Sequence, residues 1–294
     1  MILGAAAFGQ PYGIANPKEA ATAANVNSLL DLAWRRGIRS IDTAPVYGQA
    51  DNRISAWMSK TGQNFQVISK LPPLRSATES CVEEWVRDEI DAIRRALGVN
   101  YLSGLLLHDP EDIADRAIRT HLLAHKQEGT IASIGISAYT PDQVEAALDT
   151  GVVDAVQLPI NLFDRRMLES GILDRCRSEK VIVYIRSVFL QGLFFLDPAI
   201  LPAHFAPLED SLRRLHELAN LQSISIARLT LQHVLEQYSD CKFVLGCYQV
   251  SEIDEICDIV TAEPLEKHIA ETLSDIGRSA PQESIDPRYW PTVD

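Results

Sequence analysis

A chain of 294 residues, 46% of them hydrophobic, can bury a sizeable core; it is large for one β-sandwich and ordinary for one (β/α)8 barrel. A formal net charge of −13 argues against nucleic acid or an anionic membrane surface as the main partner. It leaves a small ligand open, because a local basic pocket can exist on an acidic protein.

Residues 1–4 read as a short first strand. Asn16-Pro17 reads as an N-cap followed by a proline at the first helical position. Val26, Leu29, Leu30 and Ala33 recur at helical spacing, and Gly37 ends that helix. Residues 38–42 form the second strand, 51–60 a weaker helix stopped near Gly62, and 65–70 the third strand. Val82, Trp85, Val86, Ile90, Ile93 and Leu97 make an amphipathic face opposite Glu83, Glu84, Arg87 and Arg94, and Gly98 closes the helix. Residues 104–108 are the fourth strand, whose Leu105-Leu106-Leu107 run suits burial on both faces.

The alternation then repeats: helix 115–126, strand 131–137, helix 141–148, strand 155–158, helix 165–177 and strand 181–186. A long connection leads to helices within 208–238, a last strand at 243–246 and a last helix at 252–260. Eight strands alternating with helices predict a single (β/α)8 barrel domain over 1–294, with 279–294 as a C-terminal tail that is disordered or folds back. The connection at 189–207 is rich in Phe and Leu, and apolar residues in a long rim loop often cover a ligand.

No segment has the roughly 20 apolar residues that span a bilayer, and the start of the chain shows no signal-peptide pattern. Five cysteines (Cys81, Cys176, Cys241, Cys247 and Cys257) without a CxxC motif suit free thiols and a cytoplasmic location. His121 and His125 are spaced i, i+4 but lack an HExxH frame, so they read as a solvated pair. Cys241 and Cys247 flank a strand that holds them too far apart for a disulfide, and Cys247 is placed near the rim.

Barrels of this kind place chemistry at the C-terminal ends of their strands. Three successive strand ends here deliver Asp42 with Tyr47, then Lys70, then His108. Singly, each has a structural explanation: a cap, a core lid, a surface charge, a satisfied histidine. Together they suit proton transfer. A free tyrosine has a pKa of about 10, and a nearby ammonium favours its phenolate. A buried lysine needs a partner, which Asp42 supplies. Tyr47 is expected to act as general acid towards a carbonyl oxygen, with Lys70 and His108 stabilising developing charge. No side chain can donate a hydride, so the reaction calls for a nicotinamide cofactor.

The sequence resembles the aldo-keto reductases over essentially its whole length. The resemblance is carried by Asp42-Thr43-Ala44 with Tyr47-Gly48, by Ser69-Lys70 and by Leu107-His108. It implies a (β/α)8 barrel in which Asp42, Tyr47, Lys70 and His108 form the catalytic tetrad for reversible reduction of an aldehyde or ketone by NADPH or NADH. It also implies that Ser137 and Gln157 hold the nicotinamide carboxamide, with Gln157 alternatively a buried polar group bonded to a neighbouring strand end. The stretch 186–192, with Arg186, Ser187, Phe189, Gln191 and Gly192, resembles the pyrophosphate loop. Arg186 stands where many members stack an aromatic ring on the nicotinamide, a role that a planar guanidinium can share.

Two departures matter. Ala138 replaces an asparagine that also touches the carboxamide in many members. The stretch after the last strand, which supplies the candidate contacts Gly246, Tyr248, Gln249, Glu252 and Glu255, has no Lys or Arg to clamp a 2′-phosphate. Its acids favour NADH over NADPH, or are simply solvated acids on a first helical turn, where the dipole favours them. The expected partner is a small carbonyl compound whose identity is set by rim residues such as Tyr12, Trp57, Pro72, Pro73, Phe163 and the 189–207 loop. The alternative from another class is a nicotinamide-binding, redox-sensing regulatory protein with little turnover.

Overall fold

The computed structural model describes residues 1–16, 18–74, 82–281 and 284–290. Eight parallel strands close in sequential order into a barrel. They are β1 (Ile2–Gly4), β2 (Ser40–Asp42), β3 (Gln66–Leu71), β4 (Gly104–Leu107), β5 (Ile134–Ser137), β6 (Ala155–Pro159), β7 (Ile182–Arg186) and β8 (Lys242–Gly246). β8 pairs with β1, with Gly246 opposite Gly4.

The helices are α1 (Ala6–Gly9), α2 (Ala23–Arg35), α3 (Ala50–Thr61), α4 (Val82–Leu97), α5 (Arg116–Gln127), α6 (Pro141–Asp149), α7 (Arg166–Glu169), α8 (Ile172–Ser178), α9 (Glu209–Gln222), α10 (Ile226–Gln237), α11 (Val250–Thr261) and α12 (Lys267–Ser279). Local chemistry fixes their ends. Thr22 caps α2 by accepting from the Asn25 N–H, and Asp115 caps α5. Thr140 and Gln143 form a capping box at α6, with Pro141 in its first turn. Gly62 ends α3 in the left-handed region at φ 70°.

Several expectations need correction. The helix after β1 starts behind Thr22, not at Asn16, because the Thr22 hydroxyl provides the cap; Pro17 lies outside the described residues. The single helix expected at 165–177 is two, broken at Gly171, whose φ of 75° does not continue a helix. The helix after β8 is not the last, since α12 follows it. The short α1 follows β1 directly. Cys81 lies outside the described residues, and the other four cysteines are free thiols.

The main core lies between barrel and helices and includes Leu29, Leu30, Ile54, Trp57, Ile90, Leu105 and Ile136. A second cluster joins Leu162 and Phe163 to Phe194, Phe205, Leu212, Leu273 and Ile285, packing α9, α12 and the tail over one side of the rim. Two rim expectations fail here. Trp57 is a core residue, bonded to Asp31 and packed against Phe65 and Trp34; Phe163 is buried edge-on against Phe194. The 189–207 loop is split: Phe189 and Phe195 face the cavity described below, whereas Phe194 and Phe205 belong to the second cluster.

Inside the barrel, Ile2, Ile68, Leu106, Ala155, Tyr184 and Val244 form one apolar layer. Side chains alternate faces with a period of two along a strand. Each layer residue is therefore followed two positions later by a residue at the C-terminal mouth: Gly4, Lys70, His108, Gln157, Arg186 and Gly246. The packed layer sets the height and direction of those six positions.

Candidate active site

Asp42 and Lys70 are almost fully buried, at 4% and 1% exposure. Lys70 Nζ donates to Asp42 Oδ1 at 2.6 Å and to the Thr43 carbonyl at 3.1 Å. The other Asp42 oxygen accepts from Gln157 Nε2 at 2.8 Å across the barrel mouth. Ser137 Oγ approaches Gln157 Oε1 at 3.5 Å. One carboxylate therefore links the lysine to the Gln157–Ser137 pair, and Gln157 is bonded both to Ser137 at the end of the neighbouring strand β5 and to Asp42 across the mouth.

Tyr47 sits in the turn between β2 and α3, with its ring centroid 5.0 Å from Lys70 Nζ. A glycine contact shapes that turn. Gly48 has φ +58°, and a Cβ added to Gly9 would collide with the Tyr47 carbonyl. The His108 N–H donates to the Leu71 carbonyl at 3.0 Å, which fixes the start of its loop.

Electrostatics sort these groups. Burial works to lower the Lys70 pKa, but Asp42 and Tyr47 overcome it by charge and hydrogen bonding, so the ammonium is held above its ordinary value. Burial, reinforced by Lys70 and Arg186, pushes His108 down to about 4. The imidazole is neutral at neutral pH and offers one N–H donor. Tyr12 is pushed up by burial and by Tyr47, so its phenol stays protonated beside the site.

A cavity of about 320 Å³ opens here, within the size range of small-molecule sites. Asp42, Tyr47, Gln157 and Tyr12 line one part of it. Its wall includes Gly4, Ala5, Ala6, Ala7 and Gly246, none with a side chain larger than methyl. Ser187, Phe189, Gln191 and Gly192 form another side, and Glu252, Glu255 and Ile256 on α11 the far part. Lys70 and Ser137 lie buried beneath this surface, while Tyr248 and Gln249 are absent from the lining. Pro72 and Pro73, partly buried behind β3, are absent from it too.

The loop after β7 is strained. Ser187, Leu190 and Gln191 hold φ of 60°, 46° and 52°, in the left-handed region that non-glycine residues avoid. Such conformations persist where surrounding contacts over-determine them, and they cluster at ligand sites. Asn161 Nδ2 donates to the Ser187 carbonyl at 3.2 Å, and the Ile14 N–H to the Gln191 carbonyl at 2.8 Å. The second bond ties the β1 loop to the β7 loop beside the cavity.

The far part is acidic but engaged. Gln249 and Glu252 form a capping box in which Glu252 Oε2 accepts from the N–H groups of Tyr248 at 2.7 Å and Gln249 at 3.2 Å. Glu255 accepts from Ser225 Oγ at 2.9 Å. Asp254 turns away to Arg36. Burial pushes the Cys247 thiol far up, so this lining cysteine is a poor nucleophile.

Sequence reasoning missed Tyr139 and Arg288. The Arg186 guanidinium lies 4.3 Å from the Tyr139 ring centroid and Arg288 from the tail lies 4.1 Å from it. The described part of the tail, 284–290, folds back, with Trp290 edge-on to Phe205 at 4.8 Å and donating to the Ser284 carbonyl. Tyr139 was findable as the second residue past a strand end; nothing local in the sequence points to Arg288.

The family model described as Aldo/keto reductase family matches residues 1–277. The NADH-specific methylglyoxal reductase of Escherichia coli (strain K12) is 28% identical over 193 residues, 57% of this chain and 57% of that protein. The chain thus matches little more than half the length of that relative. D-threo-aldose 1-dehydrogenase of Pseudomonas sp is 27% identical over 225 residues, 62% of this chain and 68% of that protein. Among solved structures, the holo form of an aldo-keto reductase from Bacillus halodurans superposes with a TM-score of 0.75 at 19% identity, covering 97% of this chain and 95% of that one. The glycerol dehydrogenase of Gluconobacter oxydans gives 0.73 at 21% identity, covering 99% and 94%. At these identities the structural matches speak for the fold.

Proposed function

The chain belongs to the aldo/keto reductase family, and on that premise we propose that it reversibly reduces an aldehyde or ketone, with Tyr47 as the proton donor. The observation that carries this reading is the buried Asp42–Lys70 pair, with Lys70 Nζ 5.0 Å from the Tyr47 ring at the cavity wall.

The donor set and the cavity fit a nicotinamide cofactor. The methyl-sized wall leaves room for a flat ring, Ser137 and Gln157 offer a hydroxyl and an amide, and the strained 187–192 loop offers backbone groups. Ser137, Gln157, Ser187, Phe189, Gln191, Gly192 and Gly246 would hold it. When bound, that group supplies the hydride. The chain's own residues then handle the proton. Tyr47 gives its hydroxyl proton to the carbonyl oxygen, and the Lys70 ammonium stabilises the charge left on the phenol. Asp42 keeps Lys70 charged and in place. Neutral His108 polarises the carbonyl through its N–H but has no proton to release at neutral pH, which leaves Tyr47 as the acid.

Two features support NADH over NADPH. Among the described residues lining the cavity, Arg186 is the single Lys or Arg, and it comes from the barrel mouth rather than from α11. The α11 N-terminus, an ordinary anion site, already holds the chain's own Glu252 carboxylate. The name of the Escherichia coli relative points the same way.

The test is fluorescence titration with NADH and NADPH, followed by cofactor oxidation on a panel of aldehydes and ketones. Tyr47→Phe is expected to keep cofactor binding and lose about 10²–10⁴-fold in kcat, the usual worth of a general acid. Full turnover by that variant would sink the assignment. Cofactor binding without turnover on any carbonyl would favour a redox-sensing regulator.

A further inference from the structure

Arg186 has no ion-pair partner among the described residues. Among the described residues, no carboxylate lies within 4 Å of it. The other arginines on this side are paired: Arg165 with Glu169 at 3.3 Å, Arg166 with Asp164 at 2.7 Å and Arg288 with Asp286 at 2.6 Å. Tyr139 thus touches two guanidiniums, of which one is neutralised and the other is not.

The hydrogen bonds of Arg186 are also incomplete. Its terminal nitrogens donate to the Ala138 carbonyl at 3.1 Å and to Ser187 Oγ at 3.4 Å. Its Nε is buried without any partner. A buried, unsatisfied donor on a charged group is costly unless something arrives to accept from it. The side chain lines the same cavity as Tyr47 and Tyr12 and is close enough to His108 to depress its pKa. Nε and an adjacent terminal nitrogen match the two oxygens of a carboxylate side-on.

We propose that Arg186 receives a carboxylate of the substrate, so that the preferred substrates are short aldehydes or ketones bearing a carboxylate. The inference rests on carbonyl reduction at Tyr47. The stack on Tyr139 holds the guanidinium plane, and the tail holds Tyr139 through Arg288. The acids on α11 repel an anion from the far part and leave Arg186 as its one favourable docking point in the lining.

The experiment compares kcat/KM, with saturating cofactor, for glyoxylate and succinic semialdehyde against methylglyoxal and butanal. The wild type is expected to favour the anionic pair by at least about tenfold. Arg186→Met is expected to erase that preference, chiefly through KM, and Arg186→Lys to retain part of it, as a charge-assisted contact requires. Arg288→Gln, which removes an already paired charge, is expected to move the ratio less. A wild-type ratio near one, or a ratio unchanged in Arg186→Met, overturns the proposal. So does weakened NADH binding in Arg186→Met with no change in ratio, which would make Arg186 a cofactor contact. Calorimetry with oxamate and its neutral analogue oxamide on cofactor-loaded protein separates the two readings. If no carbonyl turns over, the reductase reading fails; oxamate binding that Arg186→Met abolishes still supports the anion site, and its absence in the wild type overturns it.

Discussion

Replacing Asp42 by Asn tests the electrostatic centre of the site while preserving its shape. Lys70, at 1% exposure, would keep the Thr43 carbonyl at 3.1 Å but lose the carboxylate that pairs with it. Breaking a buried ion pair by removing one partner costs about 3–5 kcal/mol. An upper bound follows from proton loss: a lysine of ordinary pKa about 10.4 can be neutralised at pH 7 for roughly 4–5 kcal/mol. The expected destabilisation is therefore about 3–4 kcal/mol, read as a shift of roughly 1 M in the urea midpoint for an m-value near the upper end of the small-protein range.

The pH dependence has a definite sign. In the wild type the Lys70 pKa is raised, so its contribution is fully present below the unfolded value and is lost as pH rises through the folded one. In Asp42→Asn the folded value falls below the unfolded one, so stability rises with pH between the two. The gap between the proteins should narrow from neutral pH to about pH 10. Adding Lys70→Met to Asp42→Asn should recover about 1 kcal/mol or more, because the unpaired charge is gone. A single variant destabilised by less than about 1 kcal/mol, or a gap that widens with pH, would refute the account of Lys70 as a buried ammonium held by Asp42.

Burial pushes His233 on α10 down to about 4, so it is neutral in the fold and protonated in the unfolded chain between about pH 4 and 6.5. Stability should fall by roughly 3 kcal/mol on its account as pH drops through that window, and urea titration of His233→Gln should show a shallower acid limb. Removing the Glu252 side chain with Glu252→Ala vacates two N–H groups at the start of α11, and should raise NADPH affinity relative to NADH by about tenfold while costing about 1 kcal/mol of capping. Glu252→Gln keeps an accepting oxygen and should shift the cofactor ratio less, a comparison that fluorescence titration settles.

The barrel was legible because short strands, most of them with an apolar centre, alternate with amphipathic helical patterns, and because the Asp42, Lys70 and His108 strand ends are spaced as βα units demand. Boundaries slipped where local chemistry was ambiguous. Asn16-Pro17 reads as a cap and a first-turn proline, whereas the cap in the structure is the Thr22 hydroxyl, which accepts from the Asn25 N–H. Gly171 stood inside an otherwise helical pattern, and its αL conformation was not readable from that pattern. Trp57 and Phe163 looked like rim aromatics by chain position, yet one packs against Trp34 of α2 and Phe65 and the other turns into the second cluster. Arg288 approaches Tyr139 only because α12 and the tail return over the rim, a contact between distant parts of the chain with no local signature.

The site residues share one further cause that the sequence did carry. Ile68, Leu106, Ala155 and Tyr184 are an apolar layer, and Lys70, His108, Gln157 and Arg186 stand two residues beyond them. A one-residue slip in any strand would turn its polar residue outward into the helix layer, where Lys70 or Arg186 would be buried without a partner. The same packing that closes the barrel therefore fixes register and selects which polar groups meet. It brings Lys70 to Asp42, and Gln157 to the same carboxylate. It also leaves Arg186 without a carboxylate within 4 Å among the described residues, so it is a position in the mouth at which an anionic ligand can contribute.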